Sequence, residues 1–133
     1  MACWQQIREQ IRLQSETHDL TVEQFQLLRH IRRGCATVSE LVEARGISRP
    51  GVSQAVDGLV RKGLIARRDL PDDRRFVQVQ LTPTGTALVD MIFDAVRAWM
   101  RQRLAGFSCE ELQTMGSGMQ LLRQAFIPGT AEA

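Results

Sequence analysis

Apolar residues recur at spacings of three and four along most of the chain, and the phase of that pattern marks out six helices. Trp4, Ile7 and Ile11 form one stripe over about Trp4–Ser15, and Phe25, Leu28 and Ile31 form another over about Val22–Arg33. A short third helix is expected over Val38–Arg45. A fourth, over Arg49–Lys62, turns Val52, Val56, Leu59 and Val60 inward. The period then changes: Val77, Val79 and Leu81 alternate with Gln78 and Gln80, the spacing of a half-buried strand. Leu64–Arg68 is its expected partner, joined through the turn formers Leu70-Pro71-Asp72-Asp73 into a hairpin. Helical spacing resumes over Pro83–Leu104, about 33 Å at 1.5 Å per residue. It returns over Cys109–Phe126, where Gly116 and Gly118 weaken it.

The ends of these helices are written in polar residues. Thr21–Gln24, Thr37–Glu40 and Ser108–Glu111 have the form in which a hydroxyl accepts from a free N–H while Glu or Gln reaches back. Thr82-Pro83 adds a start with proline at the first helical position. Gly34, Gly46 and Gly63 stand where a left-handed residue ends a helix. Between the third and fourth helices only Gly46-Ile47-Ser48 intervenes, with Ile47 as an apolar plug. This is a helix-turn-helix.

Charge sharpens the picture. The 133 residues carry a net +2, but Arg29 to Arg75 holds eleven bases against six acids, +5, leaving −3 for the remainder. A polyanionic partner for the middle third is implied. After Ser48 the fourth helix opens with the small, basic turn Arg49-Pro50-Gly51, which lets a helix N-terminus approach phosphates. With its apolar side inward, Arg49, Ser53, Gln54 and Asp57 face out, and Gln pairs bidentately with adenine. The hairpin that follows carries Arg67 and Arg68 and an arginine-bearing tip at Arg74 and Arg75, a shape suited to the minor groove.

Three cysteines, Cys3, Cys35 and Cys109, lie too far apart for a disulfide framework or a zinc-ligand spacing, so no metal or other cofactor is expected. No nucleophile–base, metal or phosphate-loop pattern appears, which argues against an enzyme. The opening residues lack the layout of a secretory leader and no apolar run reaches membrane length, so a cytoplasmic location is expected.

The run from Leu20 to Gly85 resembles the multiple-antibiotic-resistance regulator (MarR) family of winged-helix repressors. The resemblance rests on Leu20-Thr21-Val22-Glu23-Gln24-Phe25, Thr37-Val38-Ser39-Glu40-Leu41, Ile47-Ser48, Val52-Ser53 and Val56-Asp57-Gly58-Leu59. It continues through Lys62-Gly63-Leu64-Ile65, Arg67-Arg68, Asp72-Asp73-Arg74-Arg75 and Leu81-Thr82-Pro83-Thr84-Gly85. It implies a mainly α fold with a small β-hairpin wing: a winged helix-turn-helix core over 21–82, with dimerisation helices over 1–20 and 83–127 of a single domain. The surplus apolar residues Leu88, Ile92, Ala95, Val96 and Trp99, with Leu112, Met115, Met119, Leu121 and Leu122, agree with such a dimer.

The resemblance also implies a homodimer that binds a pseudo-palindromic operator in double-stranded DNA. Ser48, Arg49, Pro50, Gly51, Ser53 and Gln54 would lie at the major groove and Arg74 and Arg75 at the minor groove, with Asp73 orienting Arg75. Many members carry Arg where Gln54 stands, so their base preference does not carry over at that position. A repressor released by a small aromatic or phenolic effector is the function implied, with Trp4, Arg8, His18 and His30 near the family's effector cleft. For both histidines the simpler reading is a loop residue and a helix-face residue, since no ligand spacing or perturbing neighbour is visible. The alternatives are a winged-helix protein–protein adaptor and a thiol-based redox-sensing regulator. Against the latter, the chain has no Tyr to assist Cys3, and an isolated cysteine such as Cys109 is more often a small buried hydrophobe.

Overall fold

The computed structural model describes residues 2–69 and 77–127. Its elements in chain order are α1 (Ala2–Thr17), α2 (Val22–Arg32), α3 (Val38–Arg45), α4 (Arg49–Arg61), β1 (Ile65–Asp69), β2 (Val77–Leu81), α5 (Pro83–Leu104) and α6 (Cys109–Phe126). They fall into two compact units, Met1–Val96 and Arg97–Ala133.

Local signals place most boundaries where the residue pattern puts them. The hydroxyl and the reaching side chain of all three capping boxes make their paired bonds, at α2, α3 and α6. Gly34, Gly46 and Gly63 all take positive φ. The exception is α1, which runs past Ser15 to Thr17 and stops at Asp19, a non-glycine residue at φ 57. Leu20 N–H donates to Ser15 C=O at 2.9 Å and Asp19 N–H to Glu16 C=O at 3.0 Å, closing the helix with crossed bonds usually built on glycine. Buried Leu20 then anchors the chain as it leaves the turn.

The core of the first unit is formed by Phe25, Leu27, Leu28 and Ile31 of α2, Val38 and Leu41 of α3, and Val52, Val56 and Leu59 of α4. Leu64, Ile65 and Val79 of the hairpin and Val89 and Ile92 of α5 complete it. Two expectations, at Val60 and Ile47, need correction. Val60 is 36% exposed, because at 100° per residue it lies at the edge of the Val52–Val56–Leu59 stripe. Ile47 is half-buried against the core rather than sealed in it. On α5 the buried stripe is Gly85, Val89, Ile92 and Val96, which leaves Leu88 and Ala95 half-buried beside it.

β1 and β2 pair antiparallel with Ile65 opposite Leu81 and Asp69 opposite Val77. The hairpin is tied down on both sides by main chain. Val79 N–H donates to Ala36 C=O at 2.8 Å, and Thr82 N–H to Leu64 C=O at 3.1 Å. Thr82 Oγ1 donates to Gly63 C=O at 2.6 Å and accepts from Gly85 N–H at 3.0 Å, starting α5 where the second strand ends. In the second unit α6 has no buried side chain, and Met119, Leu121, Leu122 and Phe126 are exposed.

Gly85 lies so close to the hairpin that a Cβ there would stand 2.0 Å from the Leu64 carbonyl oxygen. Backbone cannot swing aside as a side chain does, so Gly85→Ala should cost about 2–3 kcal/mol through overpacking. Urea unfolding measures it, and an alanine variant as stable as the wild type would contradict this packing.

Candidate nucleic-acid interface

α4 presents the residues singled out for groove contact. Ser48 caps it, accepting from Gly51 N–H at 3.2 Å. A Cβ on Gly51 would sit 3.1 Å from that hydroxyl oxygen, so the smallest residue keeps the cap well formed. Ser48, Arg49, Pro50 and Gln54 are exposed, and Gly51 and Ser53 are half-buried. The structure therefore brings six of the expected contact residues onto one end and one side of α4. Arg49 Nη1 donates to Ser39 Oγ at 3.2 Å, linking the start of α4 to the first turn of α3. Asp57, one turn beyond Gln54, accepts from Arg67 Nη1 of β1 at 2.7 Å. Asp73, Arg74 and Arg75, together with the turn Leu70-Pro71-Asp72, lie outside the described residues.

A second ion pair links α2 to α3. Arg45 Nε and Nη2 donate to the two Glu23 carboxylate oxygens, each at 2.9 Å. Pairs with this forked geometry are the stronger kind. Sequence reasoning missed the pair, since twenty-two residues separate its partners and nothing in their spacing marks them. Hydrogen bonds from Arg45 hold the Glu23 carboxyl below its usual range.

The four effector candidates do not gather. Trp4 and Arg8 are exposed on α1, His18 is half-buried after α1, and His30 is half-buried on α2. An open cleft of about 430 Å³ lies among Gln5, Arg8, Glu9, Ile11 and Arg12 of α1, Val22 and Gln26 of α2, and Arg45, so only Arg8 of the four lines it. His30 does have perturbing neighbours, contrary to expectation. Burial lowers its pKa first, with Arg45, Arg33 and Arg29 adding to the fall and Glu23 opposing it. Nearby, Arg29 and Arg32 stand over the Phe93 ring at 5.7 and 5.8 Å, and Arg32 pairs with Asp90 at 2.6 Å. Phe93 gave no sign of this role in the sequence beyond a generic apolar position.

Of the cysteines, Cys3 and Cys109 are exposed rather than buried, and Cys35 is half-buried with its thiol pushed up by burial and by Glu40. Among the described residues, no three His, Cys, Asp or Glu side chains come together as a metal site, and no helix is long and apolar enough to cross a membrane.

Residues 18–75 match the model of the MarR family. The multiple antibiotic resistance protein MarR of Salmonella typhimurium is 32% identical over 99 residues, spanning 73% of this chain and 69% of that protein. The chain belongs to the MarR family. Its fold agrees: the crystal structure of YusO from Bacillus subtilis superposes with a TM-score of 0.79 at 26% identity, covering 93% of this chain and 89% of that one. An Escherichia coli MarR variant complexed with operator DNA superposes with a TM-score of 0.64 at 24% identity, covering 89% and 86%, and at that identity it speaks to fold alone. Members of the MarR family are transcription regulators rather than enzymes, and this chain is a winged-helix transcription regulator of that family.

The ion pairing and the histidine shift have the same sign in pH. Glu23 titrates below 4.5 in the fold, so its contribution is complete above that value and is lost as pH falls through the lowered one. His30 titrates below 6.5, so the unfolded chain takes up its proton first and stability falls as pH drops from 6.5 through the folded value. Imidazole titration by NMR should place the His30 midpoint under 6.5. Arg45→Ala should raise it, by removing one cation and freeing Glu23. A midpoint at or above 6.5 in the wild type would contradict the burial.

Proposed function

We propose that the chain is a sequence-specific binder of double-stranded DNA that acts as a homodimer. It represses transcription until a small aromatic or phenolic effector releases it. One observation carries the DNA reading: the exposed, capped, small-and-basic start of α4, with Gln54 facing outward beside a hairpin pinned by main-chain bonds. The N-terminal end of α4 and its dipole favour phosphate there, even though Pro50 has no N–H and the Gly51 N–H is bonded to Ser48 Oγ, while Ser53 and Gln54 carry the donors and acceptors that distinguish base edges. The hairpin tip, with Asp73 orienting Arg75 and Arg74 beside it, takes the adjacent minor groove. An E. coli relative of the same fold was captured on operator DNA, which supports the reading.

In this reading 21–82 is the DNA-binding core, and 1–20 and 83–127 are the dimerisation segments. The support is apolar surface: Trp4 is 61% exposed and Leu122 55%, more than a lone chain keeps in contact with water without a partner. A two-fold dimer sets two α4 helices in successive major grooves and demands an operator whose half-sites lie about 34–36 Å apart. The adaptor alternative predicts no DNA affinity at all.

A gel shift on random duplexes at low salt separates the two, and log affinity should fall with log salt at about −0.9 per phosphate neutralised. Selection from a random library should then give a palindromic site. Gln54→Ala should relax one position per half-site by about 1–3 kcal/mol. An unchanged preferred site for that variant removes Gln54 from base reading.

Sedimentation tests the assembly. The wild type should be dimeric at micromolar concentration, and Met119→Asp with Leu122→Asp should yield monomers that bind a palindromic site no better than random DNA. A monomeric wild type that binds such a site tightly would overturn the dimer.

A further inference from the structure

Asp57 is an acid on the exposed side of α4, on the same face as Gln54 and one turn further along. A carboxylate facing a duplex repels phosphate, and an arginine alone on the neighbouring strand attracts phosphate of any sequence. Here each cancels the other. Arg67 Nη1 of β1 donates to Asp57 Oδ1 at 2.7 Å, with the two side chains 38% and 53% exposed. The fold does not require the pair. The hairpin's register is set by its own ladder, and its edges are held by the main-chain bonds of Val79 to Ala36 and Thr82 to Leu64. Surface pairs of this exposure contribute little to stability. What the pair does is join the middle of α4 to the strand that leads to the hairpin tip, the two surfaces that meet DNA in the reading above.

We propose that Asp57 is a positioning residue for sequence discrimination. Through Arg67 it ties β1 to the middle of α4 beyond the main-chain anchors, and by occupying Arg67 it keeps that guanidinium from binding phosphate indiscriminately. The pair thus raises preference for the cognate site while lowering affinity for other DNA. This rests on the DNA-binding reading, so the experiment separates the two.

The full-length chain is titrated by fluorescence anisotropy, across a salt series, against a duplex selected from a random library by the wild type and against a scrambled duplex of equal composition. Asp57→Asn should bind the scrambled duplex more tightly, with a salt slope steeper by about 0.9, one further phosphate. Its preference for the selected duplex should fall about tenfold, the scale of one misread base pair. The thermal midpoint should stay near the wild-type value. The reversed pair, Asp57→Arg with Arg67→Asp, should recover most of the preference. An Asp57→Asn variant with unchanged preference overturns the proposal. So does loss of preference at a single base position, which would make Asp57 a base reader, or a collapse of the thermal midpoint, which would make the pair structural. If the wild type binds no duplex, the DNA reading fails and takes this inference with it.

Discussion

Two carbonyls, of Gly63 and Leu64, hold the end of α4, both strands and the start of α5 in one place. Leu64 C=O accepts from Thr82 N–H and Gly63 C=O from the Thr82 hydroxyl, while the backbone of Gly85 packs against Leu64 without room for a methyl group. The hairpin therefore leaves and returns at a single point fixed to the C-terminal end of α4. Any tilt of α4 carries the base of the hairpin with it. Core packing by Leu59, Ile65 and Val89 then converts that local joint into a rigid corner of the first unit.

Several arginines on this frame are held by acids. Arg45 is committed to Glu23, Arg32 to Asp90 and Arg67 to Asp57. Arg29 is partly desolvated against Phe93, with its Nε buried and without a hydrogen-bond partner. Glu23 and Asp90 lie outside the middle segment and offset part of its +5, whereas Asp57 is already among its six acids.

Much of this was readable from the residues because it is local. Hydroxyl caps, a glycine at each of three helix ends and a period-two strand each depend on neighbours a few positions away, and those elements appear within one or two residues of expectation. The end of α1 was not readable, because Asp19 adopts a left-handed conformation that its type seldom takes. Which apolar positions of α5 enter the core was not readable, since Leu88 and Val89 are equally apolar and only tertiary contact chooses between them. The contact residues of α4 were legible as a group. The Glu23–Arg45 and Arg67–Asp57 pairs were not, because partners brought together by folding leave no periodic trace.

The hairpin's attachment through backbone atoms has a consequence for how such a protein changes over generations. Val79 N–H, Ala36 C=O, Thr82 N–H and Leu64 C=O are supplied by every residue type except, for the donors, proline. The exposed side chains of Ala66, Arg68, Gln78 and Gln80 are therefore free to drift without loosening the strands that carry them. Descendants of one ancestral gene can vary these positions through single substitutions, each tried on a scaffold whose folding is already secured.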